Sequence, residues 1–339
     1  MRPFQHVRVD SAQAAVQAAA GARASSALQS PTQFLAGGTT LIDLMKLDVM
    51  RPQMLIDINA LEGTRLGLIE ADGSGLRLGA LVRMADAAEH PAIRRDYPVI
   101  AQSLKFAASQ QLRNMASLGG NVLQRTRCTY FRDVTYGACN KRNPGSGCAA
   151  MDGFNRPHAV LGASENCIAT YPGDFAQALI ALDASVDING SRGRRTVPFA
   201  TLHRQPANTP DLETTLAPGD IIMSFSVPAR AWTRRSLYLK IRDRSSYEFA
   251  LASAAVALDL QAGKVRDVSI ALGGVATVPW RAREAEAVLK GKELDHGVLK
   301  AAAHAAFAGA RTQEHNAFKV VLGKQTLIRA LNEAAAMEI

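Results

Sequence analysis

Four cysteines are the residues of this chain with the most distinctive chemistry, and all of them lie between positions 128 and 167 of its 339 residues. Ten, eight and eighteen residues separate Cys128, Cys139, Cys148 and Cys167. The spacing lacks the paired Cys-x-x-Cys of zinc ribbons and fingers. In a chain without an export signal, clustered cysteines more often bind metal than form disulfides. The pattern favours an iron–sulfur cluster, with structural zinc, two disulfides or four buried inert thiols as alternatives.

The surroundings of the cysteines favour the same interpretation. Cationic side chains crowd the first two cysteines, and a Gly-containing turn precedes the third; these residues are Arg125, Arg127, Arg132, Lys141, Arg142 and the turn 144–147. A cluster held by four thiolates is negatively charged, so nearby cations stabilise it, and glycines allow backbone N–H groups to approach the sulfurs. The segment from about 124 to 170 is predicted to be a long irregular insertion, and loops of that length usually have a functional reason.

Two glycine pairs are candidates for binding a phosphate-containing ligand. The first, in AGGT at 36–39, follows a predicted strand at Phe34–Leu35 and precedes a predicted helix, and the second, in LGGN at 118–121, has a turn-like setting. Neither matches the G-x-G-x-x-G fingerprint or the P-loop, so a nicotinamide-binding Rossmann domain is not supported. Such turns let an anion such as pyrophosphate approach backbone amides. Tight structural turns are the alternative interpretation.

The elements that must position these residues follow an α+β order. Ser11 is predicted to cap a helix over 12–22, and the pattern then predicts strands at 55–58, 76–80 and 185–188 and helices at 84–90, 99–112 and 174–182. A composition change near 228–235 indicates a domain boundary. Beyond it, strands at 237–241, 250–260 and 265–274 precede helices at 281–290, 298–310 and 317–337, which is typical of an α+β domain.

Bulk composition excludes several function classes. The formal charge is +9, yet the basic residues are spread along the chain without an aromatic-interleaved block, so a nucleic-acid partner is not expected. No run of about 18 apolar residues is present, so no membrane span is expected. The first six residues lack the apolar run of a signal peptide, and we expect synthesis in the cytoplasm without a signal of its own.

The order of several motifs resembles the FAD-binding subunits of xanthine dehydrogenase and aldehyde oxidase-type molybdenum hydroxylases. The motifs are LAGGTTL at 35–41, ASLGGN at 116–121, and PGD at 172–174 ahead of ALDA at 181–184. The stretches QRTRC at 124–128, CNKR at 139–142 and PGSGC at 144–148 resemble the insertion of the FAD subunits of bacterial periplasmic aldehyde oxidoreductases. In those subunits the four cysteines bind a 4Fe–4S cluster. The resemblance extends to YLKIRDR at 238–244 and ALGGV at 271–275.

The resemblance assigns binding roles residue by residue. It implies that a first run wraps the FAD pyrophosphate, namely Gln33, Phe34, Leu35, Ala36, Gly37, Gly38, Thr39, Thr40 and Leu41. It implies support from a second group, namely Ser117, Gly119, Gly120 and Asn121. Asp174 would bind the nucleotide, and Ile222 and Lys240 would line or contact the flavin ring. A cation there would stabilise the reduced flavin. Cys128, Cys139, Cys148 and Cys167 would hold the 4Fe–4S cluster, and no side chain of this chain is expected to be catalytic.

The resemblance also implies the architecture and the partners. The fold would be a two-lobed FAD-binding domain of the vanillyl-alcohol-oxidase type over 1–228, with lobes of about 1–58 and 59–228, followed by a sheet-and-helix domain over 229–339. A large molybdenum-pterin subunit would oxidise the substrate, and a small 2Fe–2S subunit would relay electrons to this chain and an external acceptor. The compartment would be periplasmic if a signal-bearing partner carries the complex across the membrane.

Overall fold

A small parallel sheet forms the N-terminal part of the chain. The computed structural model describes residues 1–21, 24 and 29–339. Strands β1 (Gln5–Arg8) and β2 (Thr32–Leu35) pair in parallel with the central β3 (Met54–Asp57). Leu55 and Ile56 of β3 are fully buried. Helices α1 (Ala12–Ala19) and α2 (Leu41–Lys46) pack their apolar faces against this part of the chain.

A larger antiparallel sheet follows. In the described part of the chain it has the order β4-β5-β8-β6-β7, with strands β4 (Ile69–Asp72), β5 (Gly75–Gly79), β6 (Ser185–Gly190), β7 (Gly193–Pro198) and β8 (Ile221–Pro228). Seven helices of the described residues lie between or beside these strands: α3 (Met84–Glu89), α4 (Pro91–Asp96), α5 (Pro98–Lys105), α6 (Gln110–Met115), α7 (Leu118–Val122), α8 (Thr129–Arg132) and α9 (Phe175–Ala181). Every residue of α9 is buried, so this helix lies in the centre of the core.

The C-terminal part pairs an antiparallel sheet with three helices. Its strands have the order β12-β11-β10-β9, and the elements are β9 (Ser236–Ile241), β10 (Ala252–Gln261), β11 (Lys264–Gly273), β12 (Trp280–Arg281), α10 (Arg283–Leu289), α11 (His296–Ala306) and α12 (Phe318–Ala335). One face of β10 and β11 packs on these helices, and the other contributes Ala255, Ala257 and Ala271 to the core of the larger sheet. The α+β prediction is confirmed.

Two local predictions are wrong in detail. The single helix expected over 99–112 is two helices, α5 and α6, because Ala108 has a positive φ of 50° and the Ser109 hydroxyl then caps α6 by accepting from the Leu112 amide. The second glycine pair lies inside the short helix α7 rather than in an open turn. The first helix ends at Ala19, short of the predicted end at Ala22, which lies outside the described residues; its Ser11 cap is confirmed.

Several elements were not expected from the sequence. They include the strands β4, β7, β8 and β12 and the helix α4. Of these, β8 is central to the larger sheet, where it pairs with both β5 and β6. The cysteine segment is irregular as predicted, apart from the single turn α8.

Candidate functional site

The first glycine pair forms a tight turn between β2 and α2. Gly38 has a positive φ of 71°, a conformation that glycine adopts without strain. A Cβ on Gly37 would collide with the carbonyl group of Met115, so this turn and the chain end of α6 touch backbone to backbone. The side chain of Asn59 donates to the Ala36 carbonyl at 3.1 Å and fixes the turn from the other side.

The second glycine pair lies directly beside the first. Ser117 caps α7, because its hydroxyl accepts from the Gly120 amide at 3.3 Å. The amide of Gly119 donates to the Ala80 carbonyl at 2.8 Å, and a Cβ on Gly119 would come within 3.1 Å of the Ala80 Cβ. Since Met115 contacts Gly37 two residues before this cap, the fold brings together two motifs that are about eighty residues apart in the sequence.

A cleft that encloses about 260 Å³ opens where the two motifs meet. Ten of the residues predicted to bind FAD line it: Gln33, Phe34, Ala36, Gly37, Gly38, Thr39, Thr40, Leu41, Ser117 and Gly120. The opposite wall comes from residues that the sequence reasoning did not assign, chiefly 211–214 and 216–220.

The other six predicted FAD residues are not among those that line the cleft in the described structure. Leu35, Gly119 and Asn121 belong to the two motifs themselves, and Ile222 is a residue of β8 whose side chain is buried in the core. Asp174 and Lys240 form a buried ion pair of 2.8 Å, with side chains only 4% and 2% exposed. Their contacts with FAD stay predictions.

Asp174 is held by two neighbours in the core. The Tyr238 hydroxyl donates to its second carboxylate oxygen, and burial together with the charge of Asp174 raises the pKa of Tyr238 well above its ordinary value. Lys240 Nζ also donates to the Phe106 carbonyl at 3.1 Å. These contacts connect β9 to the start of α9 and to the chain end of α5.

Arg125 is a cation of the cleft wall that the sequence placed only near the cysteines. Its residue is 7% exposed, and its Nη1 and Nη2 have no hydrogen-bond partner among the described residues. Its Nε lies 2.7 Å from Glu213 Oε2, and Lys141 Nζ lies 2.9 Å from Glu213 Oε1. Burial raises the pKa of Glu213, but the charges of Arg125 and Lys141 more than offset this, so the pKa lies below its ordinary value.

The four predicted cluster cysteines line one small cavity of about 10 Å³ next to this cleft. All four are free thiols. The backbones of Cys139 and Cys148 form an isolated antiparallel β-bridge. The segment packs on α2, where Arg132 forms two hydrogen bonds of 2.9 and 3.0 Å with Asp43. Within the described ranges, no three His, Cys, Asp or Glu side chains converge on a point where one metal ion would bind. The ligands of an iron–sulfur cluster bind different irons, so they stand further apart than ligands of a single ion.

Backbone amides point at three of the cysteine sulfurs. Burial raises the pKa of Cys128 to about 12, and the amides of Phe131 and Tyr130 act in the opposite direction. Burial also raises the pKa of Cys167 to about 11, against the charge of Lys141 and the amide of Ala169. The same balance holds at Cys148, whose pKa is raised by burial and lowered by amides that include Ala150. Donors of this kind stabilise thiolate ligands.

His158 was left unassigned from the sequence, and the structure places it in contact with one of the four cysteines. Its Nε2 is 3.2 Å from the Cys128 sulfur, and the residue is buried. Burial lowers the pKa of His158 to about 4, with Lys319 adding to the effect. The imidazole is therefore neutral at pH 7. Only its position inside the cysteine insertion, thirty residues after Cys128, could have indicated this contact.

Comparison with known proteins assigns the chain to a family. Residues 2–230 match the FAD binding domain in molybdopterin dehydrogenase, and residues 237–334 match the CO dehydrogenase flavoprotein C-terminal domain. The chain is an FAD-binding subunit of this oxidoreductase family. No described helix has the length and apolar character needed to span a membrane.

Individual relatives match along almost the whole chain. The aldehyde oxidoreductase FAD-binding subunit PaoB of Escherichia coli K12 is 47% identical over 90% of this chain and 92% of its own length. The glyceraldehyde dehydrogenase medium chain of Sulfolobus acidocaldarius is 26% identical over 88% of this chain and 84% of its own. A solved structure of carbon monoxide dehydrogenase from Hydrogenophaga pseudoflava has a chain with 28% identity and a TM-score of 0.74, covering 99% of this chain and 98% of that one.

Proposed function

We propose that this chain is the FAD and 4Fe–4S subunit of a molybdenum-dependent aldehyde oxidoreductase. In that complex, substrate oxidation takes place on a large molybdenum-pterin subunit, a small 2Fe–2S subunit relays electrons, and this chain passes them to an external acceptor. The aldehyde assignment rests on the name of the Escherichia coli relative. The observation that carries the proposal is the pair of adjacent sites, a cleft lined by both glycine motifs and a cavity lined by four free cysteines.

The residues of the cleft fit FAD. The turn at Gly37 and Gly38 lines the cleft, so a pyrophosphate bound there could approach its backbone amides. The unpaired guanidinium nitrogens of Arg125 offer buried donors to an acceptor of the ligand. Bound FAD would supply one- and two-electron chemistry, and the chain would supply its binding, its orientation and the local charge.

The residues of the cysteine cavity fit a 4Fe–4S cluster. Cys128, Cys139, Cys148 and Cys167 provide four thiolates, which is the usual ligand set. The amides that point at the sulfurs and the nearby charge of Lys141 would stabilise their ionised forms. Membership of the family does not by itself imply this cavity, because its four cysteines lie in the insertion at about 124–170.

The six predicted FAD residues outside the lining are proposed to act from behind the cleft. Gly119 and Asn121 belong to α7, whose packing sets the position of Ser117. Asp174 and Lys240 connect α9 and β9, and Ile222 and Leu35 lie on strands that border the site. This proposal predicts that changing them alters FAD binding through the position of the wall. We also propose that the compartment of the complex is set by a signal on a partner subunit.

Turnover by the isolated chain tests the subunit proposal. The purified chain is assayed with aldehydes and an artificial electron acceptor, first alone and then after co-expression with the partner molybdenum and 2Fe–2S subunits. We expect turnover only with the partners. Robust turnover by the isolated chain would instead favour a self-sufficient FAD dehydrogenase that binds its substrate beside the flavin.

Substitution of one cysteine tests the cluster. Cys139→Ser is expected to lower the iron content of the chain and its broad visible absorption while FAD remains bound. Complex assembly and the rate of FAD reduction are then measured on the same variant. Lost assembly with unchanged reduction in the surviving complex would assign the cluster a structural role. Zinc without flavin absorbance in the unsubstituted chain would contradict both parts of the proposal and favour a structural zinc module.

A further inference from the structure

Three side chains of opposite charge form a continuous and largely buried link between the cleft and the cysteine cavity. Arg125 and Lys141 each bind one carboxylate oxygen of Glu213, at 2.7 and 2.9 Å. The side chains of Arg125 and Lys141 are 6% and 11% exposed, and that of Glu213 is 24% exposed. The three residues are distant in sequence, so only the folded chain brings them together.

Each cation of this link faces a different site. Arg125 lines the cleft, whereas Lys141 lines the cysteine cavity and is not among the described residues of the cleft wall. Glu213 lines the cleft and contacts both cations. The position of each cation at its own site therefore depends on the same carboxylate.

Neighbouring contacts fix the link to the two walls. The guanidinium of Arg125 lies over the Phe131 ring, 5.2 Å from its centroid, and Phe131 belongs to the turn that follows Cys128. Lys141 Nζ also donates to the Pro210 carbonyl at 2.8 Å, which holds the chain just before Asp211 of the cleft wall. The cysteine segment is thus attached to the wall of the cleft through polar contacts as well as packing.

The group of three side chains carries a net positive charge. One carboxylate between two cations gives the group of three a formal charge of +1, which suits the anionic groups expected on both sides. The removal of one partner from a buried ionic group leaves an uncompensated charge, which is strongly unfavourable. Loss of Glu213 would therefore release both Arg125 and Lys141 from their present positions.

We propose that Glu213 is a positioning residue that couples the two sites, holding Arg125 toward the ligand of the cleft and Lys141 toward the cysteine cavity. The inference rests on the proposed FAD and 4Fe–4S function. Its consequence is that each cation influences the site it does not line. Lys141 affects FAD affinity through Glu213 and Arg125, and Arg125 affects the cluster through Glu213 and Lys141.

A crossed set of variants of the full chain tests this coupling. The variants are Glu213→Gln, Arg125→Met and Lys141→Met, with Glu165→Gln as the matched control, because Glu165 lies in the same segment and its side chain is 90% exposed. The dissociation constant of FAD is measured by titration of flavin-depleted protein. Iron content and the electron paramagnetic resonance spectrum of the reduced protein report on the cluster, and circular dichroism reports on folding.

We expect each substitution of a cation to affect the site that the residue does not line. Lys141→Met weakens FAD binding tenfold or more, and Arg125→Met shifts the cluster spectrum or lowers the iron content, while Glu165→Gln changes neither. Glu213→Gln changes both sites; if it does not fold, the two single-cation variants still decide the question. The proposal is overturned if Lys141→Met binds FAD within twofold of the control and Arg125→Met keeps the unsubstituted spectrum. An unsubstituted chain that binds neither FAD nor iron would instead overturn the proposed function.

Discussion

Replacement of Gly37 by alanine should separate the two glycine motifs and weaken FAD binding. A Cβ at Gly37 would overlap the carbonyl group of Met115 and would stand 3.1 Å from the Ala116 Cα. Because carbon–oxygen contacts rarely fall below about 3.3 Å, the turn and the end of α6 would have to part by roughly 1 Å or more. Met115 cannot easily yield, since Arg83 donates to its carbonyl oxygen at 2.6 Å.

The magnitude follows from this displacement. Accommodating an extra methyl group in a packed site costs about 1–3 kcal/mol of stability. A misplacement of roughly 1 Å in a binding constellation can cost up to about a hundredfold in its function, so we expect FAD affinity to fall by about ten- to a hundredfold. The change should appear in both the urea midpoint and the FAD dissociation constant.

The assay is FAD titration of flavin-depleted protein, followed by the change in flavin fluorescence. Gly73→Ala is the matched control, because Gly73 is exposed and a Cβ there would have no neighbour within 4 Å among the described residues. The reasoning is refuted if Gly37→Ala binds FAD within twofold of Gly73→Ala and unfolds at the same urea concentration. It is also refuted if stability falls while affinity is unchanged, because the turn would then be structural alone.

Three further changes test contacts around the site. Lys240→Met leaves Asp174 as a buried carboxylate without its cation, so the flavin-free chain should lose about 3–5 kcal/mol of stability; an unchanged urea midpoint would contradict this. Asp43→Asn removes the ion pairs with Arg132 and Arg127, which lower the pKa of Asp43 although burial raises it. Above pH 4 we expect Asp43→Asn to lower the free energy of unfolding by about 1 kcal/mol at most, because the ion pair is partly exposed. The difference from the unsubstituted chain should vanish as the pH falls through the lowered pKa of Asp43 in the folded chain. A difference that does not depend on pH would exclude the electrostatic cause. Burial and the charge of Arg156 lower the pKa of Lys319 to about 7. Unfolding measurements should therefore show that the unsubstituted chain gains stability relative to Lys319→Met as the pH rises from 7 to about 10. Parallel curves of unfolding free energy against pH for the two proteins would refute this.

The shared location of the four cysteines could be predicted from the sequence, whereas their role as cluster ligands stays a prediction. Clustering within one segment indicated a common site, and the structure places all four cysteines around one cavity. The contact of His158 with Cys128 could not be predicted, because a single histidine in an irregular segment has no periodicity that fixes its direction. Cluster type and cofactor identity came from the resemblance rather than from spacing.

The cleft was predicted on one side only. Both glycine motifs could be found locally, but the opposite wall at 211–220 comes from a segment without a recognisable binding pattern. The ion pairs of Glu213 with Arg125 and Lys141 depend on tertiary folding, since sequence separations of 88 and 72 residues carry no local signal. The interruption between helices α5 and α6 at Ala108 could not be predicted from the sequence either, because alanine favours helices and rarely adopts a positive φ.

Joint measurement of flavin and iron in the same purified chain tests the central claim most directly. The full chain is purified without oxygen, its flavin is released and identified, and its iron and acid-labile sulfide are quantified alongside the spectrum of the reduced protein. The account predicts stoichiometric FAD together with about four irons and four sulfides per chain, and loss of iron but not of FAD in Cys139→Ser. Zinc in place of iron, or a chain that takes up no FAD, would contradict it.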